Sequence, residues 1–148
     1  YNDLIGYNNR LDEMQAAFLS IKLKHLVAWT ELRQKAANHY LLGLRGVDDL
    51  ALPFTHPLAT HVYHLFVIRT EKRDELQSFL SSKGIGTLIH YPIPPHLQKA
   101  YHNLGFRKGD FPIAEELADT SLSLPMFPGI TEQQQDYVIQ EIKAFFNA

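Results

Sequence analysis

Cysteine is absent from this chain of 148 residues. Its absence excludes disulfides and thiolate-ligated zinc. With no secretory signal pattern, the expectation is a reducing, cytoplasmic setting. No apolar run is long enough to span a bilayer, so no membrane partner is expected. Neither sign of charge dominates: 14 Lys and Arg stand against 16 Asp and Glu, a net charge of −2. That balance gives no electrostatic case for nucleic acid or an anionic membrane surface. No Gly-rich phosphate loop follows a strand pattern, since "GIG" at Gly84–Gly86 precedes one. No Ser-His-Asp set can be assembled, and there are no internal repeats or low-complexity tracts.

What is present suffices for one domain with a real core. The opening stretch, "YNDLIGYNNR", carries Gly6 and three asparagines and reads as irregular. Beginning on Tyr1 within such a loop, the chain looks like the inside of a longer protein. Asp12 is placed to cap a helix, with Gln15 to complete a capping box. Met14, Phe18, Ile21, Leu26, Trp29 and Leu32 recur every three or four residues, with one larger step. They predict one long amphipathic helix to about Leu42, stopped by Gly43. At roughly 45 Å it would outrun so small a domain, so part of it should pack on an upstream domain or a second subunit.

Thr60–Thr70 is β-branched and aromatic and reads as a central strand. Asp74–Lys83 follows as a short helix with Leu76, Phe79 and Leu80 inward, stopped by Gly84. Ile85–Ile89 is then expected to pair in parallel with the first strand across a right-handed crossover. Beyond it, His96–Asn103 suggests a turn of helix, and Pro112 opens another with Asp110 near its cap. Ser121–Leu124 is a short strand. Thr131 and Gln134 form a capping box for a last helix with Val138, Ile142 and Phe145 inward. The sum is an α/β fold, a small mixed sheet with helices packed on it, preceded by one long helix.

Chemistry is concentrated at "HYPIPPH", His90–His96. Its three prolines stiffen the loop by fixing φ and removing backbone donors. A stiff loop with two imidazoles and a phenol suits ligand contact, or simply covers the end of the core. The eight histidines do not make a metal site. His61 and His64 fall on opposite faces of the expected strand, and no carboxylates complete a set around His90 and His96. No lysine stands out as a desolvated Schiff-base former; Lys22, Lys24 and Lys83 all read as solvated.

"GYNNRLDEMQAAFLSIKLKHL" (Gly6–Leu26) resembles the DegT/DnrJ/EryC1/StrS family of pyridoxal-phosphate-dependent sugar aminotransferases. "HVYHLFVIR", "IHYPIPPHLQKAY" and "GDFPIAEELADTSLSLPMFPGIT" carry the likeness on, in order and spacing, over nearly the whole chain. The resemblance implies an aspartate-aminotransferase-type fold (fold type I). Residues 1–45 would be the end of the large domain and the interdomain helix; residues 46–148 would be the C-terminal small α/β domain. The Schiff-base lysine is then expected upstream of Tyr1, leaving no catalytic residue in this chain, and the chain alone inactive.

The family's active sites lie at a homodimer interface. The resemblance assigns Asn8 to the phosphate of the cofactor, pyridoxal 5'-phosphate, where an amide donor gives a charge-assisted hydrogen bond. It assigns Tyr7 and Arg10 to the substrate, Arg10 for a diphosphate that its planar fork fits. An Asx-turn for Asn8 and a solvated charge for Arg10 are the simpler alternatives. His90 and Tyr91 are implied to hydrogen-bond the sugar or its phosphate; His96 would do likewise or brace the loop. The loop resembles members that aminate C3 of a nucleotide-linked keto-deoxy sugar, here a dTDP-3-keto-6-deoxyhexose, with glutamate as amino donor. Deoxysugar biosynthesis, including lipopolysaccharide O-antigen, is the implied setting. A non-catalytic regulatory or dimerisation relative, and a sugar dehydratase of the same family, are the alternatives.

Overall fold

The computed structural model describes residues 11–147. Tyr7, Asn8 and Arg10 therefore lie outside the described residues. Helix α1 (Glu13–Leu23) starts at Asp12, whose carboxylate accepts from the Met14 and Gln15 amides at 2.9 and 3.4 Å. It does not run on to Leu42. Lys24 and His25 donate to Ile21 and Lys22, three residues back, and a new helix, α2 (Leu26–Gly43), begins there. These tightened bonds break the ladder without any Gly or Pro to announce the break.

The apolar stripe read from the sequence is not the core face of this chain. Met14 and Phe18 are 69% and 61% exposed, and Leu26 and Leu32 are exposed as well. The core instead takes Ala36, Ala37 and Tyr40 from the later turns of α2. The small alanines let α2 lie close to α5 (Glu132–Phe146), which covers it. Gly43 does not stop α2 by a left-handed turn; a Cβ there would overlap Cδ1 of the buried Ile139. Its role is close helix–helix approach, and the first positive φ comes later, at Gly46.

Strand β1 is only Phe66–Arg69. The residues before it, expected as strand, turn. The His61 imidazole accepts the Tyr63 amide at 2.8 Å, and Tyr63 sits at a φ of 48°. Its phenol meets Thr55 Oγ1 at 3.0 Å, and its ring stacks on Phe66. Helix α3 (Arg73–Ser82) buries Leu76 and Leu80 and ends as expected at Gly84. Gly84 has a φ of +75°, donates to Ser81, and Ile85 donates to Leu80, a Schellman closure.

The expected direct parallel pair does not form, because a later strand lies between. Helix α4 (Pro112–Thr120) leads into β2 (Ser121–Leu124), which pairs antiparallel with β1, Phe66 opposite Leu124 and Ile68 opposite Leu122. Leu88 forms an antiparallel bridge to Ser123 on the far edge of β2, and Ala51 bridges Arg69 on the outer edge of β1. The Leu88 segment thus runs parallel to β1 without touching it. All four residues of β2 are buried, as are Phe66 and Ile68. With Leu44, Leu76, Leu80, Val138, Ile139 and Ile142 they make one core. The α/β expectation holds: five helices and two 3₁₀ segments surround a small sheet among the described residues. Among the described residues no helix is long and apolar enough to cross a membrane.

Helix α5 is capped as its sequence predicts, Thr131 and Gln134 each bonding the other's backbone. Its buried Gln135 donates to the Ala36 carbonyl at 2.8 Å, tying α5 to α2. The Tyr40 phenol, which burial pushes well above its ordinary range, stays neutral and donates to Pro125.

Gly43→Ala should destabilise the domain. Overpacking costs ~1–3 kcal/mol against a helix gain of ~0.5–1 kcal/mol. Ile139→Val removes the obstructing methyl, so the double variant should be no less stable than Ile139→Val alone. Urea unfolding of the four proteins checks this.

Candidate functional site

The His90–His96 loop leaves the sheet at the Leu88–Ser123 bridge. The bridge fixes its first residues to the edge of β2, with Ser123 N donating to Leu88 O at 2.8 Å and Leu88 N to Ser123 O at 3.2 Å. Two residues on, His90 Nδ1 lies 2.8 Å from Ser123 Oγ. The Tyr91 ring stands edge-on to His90, centroids 5.6 Å apart, and is 73% exposed.

The far end of the loop is held separately. Pro94 is buried, and Pro95–Leu97 makes a single 3₁₀ turn. The His96 side chain turns inward, and its Nε2 lies 3.0 Å from Glu115 Oε1 on α4. Side-chain exposures of 7% for His96 and 11% for Glu115 show how little water reaches this pair. Its setting suits bracing; His90 and Tyr91 are the residues the loop presents. Lys99–Leu104 continues as 3₁₀ helix, where a turn of helix was expected. His96 and Phe111 also line an apolar cavity of about 360 Å³ with Tyr101, Leu104 and Phe106.

Glu115 is the hub of this end. Its carboxylate accepts the Gly109 amide at 2.8 and 3.0 Å and the Phe111 amide at 3.4 Å, besides meeting His96. The Gly109 amide, then the His96 and Phe111 bonds, hold its carboxyl below the usual carboxylate range against the opposing effect of burial. Asp110, expected near the cap of α4, instead accepts from the Arg107 amide. Phe111 holds the cap position without a side-chain bond, and Pro112 takes the first turn, as its sequence predicts. Neither Glu115 nor Ser123 is marked in the sequence. The one hint is the alternation of "SLSL", which puts both serines of β2 on the face opposite its leucines.

All eight lysines of the chain are exposed. None has the desolvated setting that imine formation at neutral pH needs. The described residues therefore do not by themselves fit a covalently held pyridoxal phosphate. Nor is there among them a group of three or more His, Asp, Glu or Cys able to hold a metal ion.

A family model described as the DegT/DnrJ/EryC1/StrS aminotransferase family matches residues 1–143. The chain belongs to this family. It is 49% identical over 148 residues to a "pleiotropic regulatory protein" of Geobacillus stearothermophilus, covering 99% of this chain and 40% of that protein. It is 47% identical over 138 residues to a dTDP-3-amino-3,4,6-trideoxy-alpha-D-glucose transaminase of Streptomyces venezuelae, covering 93% and 36%. Among solved structures, S. venezuelae DesV in complex with a ketimine intermediate superposes with a TM-score of 0.93 at 44% identity, over 99% of this chain and 39% of that one. The chain thus spans about two fifths of the length of these family members.

The Glu115 shift sets a pH dependence. A carboxyl whose folded pKa is depressed adds stability above its ordinary value, 4.5, and loses it as the pH falls through the lower folded value. Glu115→Gln should lower Tm by several degrees at neutral pH. The gap to wild type should narrow steadily below pH 4.5. Thermal unfolding across that range checks it.

Proposed function

We propose that this chain is the C-terminal part of a pyridoxal-phosphate-dependent aminotransferase that aminates a nucleotide-linked keto-deoxy sugar. Residues 1–45 are read as the end of its large domain with the helical connection, and 46–148 as its small domain. The observation that carries this is the family match through residues 1–143, together with near one-half identity to a dTDP-amino-sugar transaminase. Within this reading the substrate is a dTDP-3-keto-6-deoxyhexose and the amino donor is glutamate. The setting is cytoplasmic deoxysugar synthesis of the kind that supplies O-antigen. The cofactor supplies the electron sink for moving the amino group, and protein groups orient what it acts on.

The protein is read as a homodimer with shared sites. Asn8, Tyr7 and Arg10 would reach the neighbour's cofactor phosphate and substrate, and His90 and Tyr91 the sugar or its phosphate. His96 holds the loop from beneath, with direct substrate contact as its alternative. The uncovered apolar residues of α1 support a further packing partner, either the large domain or the second subunit.

A second reading has a specific observation behind it. The Geobacillus relative, at 49% identity, bears a regulatory name. In that case the same domain senses a ligand or dimerises without turnover.

Two substitutions in the whole protein separate these readings. Asn8→Ala should weaken cofactor retention by ~1.5–3 kcal/mol, the worth of a hydrogen bond to a charged group. His90→Ala should leave cofactor binding nearly unchanged and lower kcat/KM for the nucleotide sugar. Cofactor dissociation and sugar kinetics measure both. If Asn8→Ala keeps its cofactor and His90→Ala turns over normally, the assigned site is wrong. If the wild type shows no transamination, the regulatory reading stands instead.

A further inference from the structure

Ser123 spends both its backbone groups on Leu88, two residues before His90, and offers its side chain to His90 itself. One residue thus sets both the position of the loop and the rotation of the ring. Ser123 is only 5% exposed, so water is a poor substitute partner for its hydroxyl. Among the described residues His90 Nδ1 is the only hydrogen-bond partner of that hydroxyl, and His90 Nε2 has none. The ring is half-buried, with Tyr91 edge-on beside it. A neutral imidazole that accepts at Nδ1 must carry its proton on Nε2.

We propose that Ser123 is a positioning residue: its hydroxyl donates to His90 Nδ1 and locks the neutral ring as the Nε2–H tautomer. The free N–H then faces an acceptor oxygen of the nucleotide sugar, a hydroxyl or a phosphate oxygen. This last clause rests on the proposed role of His90 as a substrate contact. Without Ser123 the ring is free to turn and to exchange tautomers, and the donor is no longer fixed in one direction.

The test has a spectroscopic arm and a kinetic arm, both on the whole protein. Long-range ¹H–¹⁵N spectra of the His90 ring, assigned with His90→Ala, should show the Nε2–H tautomer in the wild type and a tautomer mixture in Ser123→Ala. A wild-type Nδ1–H tautomer, or a ring unchanged by Ser123→Ala, overturns the positioning role. In the kinetic arm Ser123→Ala should raise KM for the nucleotide sugar about five- to tenfold, the range for one lost hydrogen bond, with kcat little changed. Added to His90→Ala, it should raise KM no further, because it acts through that ring. Equal, additive increases in both backgrounds would show a merely structural effect and overturn the proposal. If the tautomer responds as stated while His90→Ala leaves KM unchanged, the positioning of the ring holds and the reading of His90 as a substrate contact fails.

Discussion

Strand β2 is buried on both faces, and the rest of the domain hangs on that double burial. Leu122 and Leu124 face Phe66, Ile68, Leu80 and Ile142 in the core. Ser121 and Ser123 sit on the other face, equally out of water. The Ser121 carbonyl accepts from the buried Arg73 guanidinium, which also caps the Ala118 carbonyl at the end of α4. Ser123 holds Leu88 and His90. Buried polar groups need partners, so the partners of these serines are fixed in place by the same burial that fixes the core. A four-residue strand is short for a central position, but its neighbours on both edges leave none of its four residues exposed.

The presented loop gains its rigidity from two unrelated anchors. One is the hydroxyl of Ser123, reaching the loop from 33 residues ahead in the chain. The other is the Glu115 carboxylate, which gathers two backbone amides and His96 at the start of α4. Prolines between them limit the backbone further. Groups held this way would lose little entropy on meeting a ligand. Tyr91 is exposed between the anchors.

Local signals in the sequence located α3 with its Gly84 stop, the Ser121–Leu124 strand and the capping box of α5. Each depends on residues within a few positions of one another. Elsewhere the deciding contacts leave no mark in composition or periodicity, whether local, as at Lys24–His25 and His61, or distant, as at Gly43 and β2. The Lys24–His25 break carries no Gly or Pro. The composition of Thr60–Leu65 favours strand, yet the His61 ring draws the Tyr63 amide into a turn. Helix α2 does end at Gly43, but the reason for a glycine there is Ile139 on α5 rather than a left-handed turn. The insertion of β2 between β1 and the Leu88 segment is a pairing of residues far apart in sequence, invisible to periodicity. The stiff loop that carries His90, Tyr91 and His96 is legible as a loop, whereas its two anchors, Ser123 and Glu115, are not. No residue of α1 is buried, so its apolar side chains, Met14, Phe18 and Ile21 among them, are left uncovered by the described residues.

In the proposed enzyme this chain would give the cofactor no covalent hold, because all eight of its lysines are exposed. Borohydride reduction of the whole protein with pyridoxal phosphate, followed by peptide mapping of the trapped adduct, tests it most directly. The account predicts one stoichiometric adduct on a lysine outside these 148 residues. A stoichiometric adduct on any of the eight lysines here, all of them exposed, would contradict it.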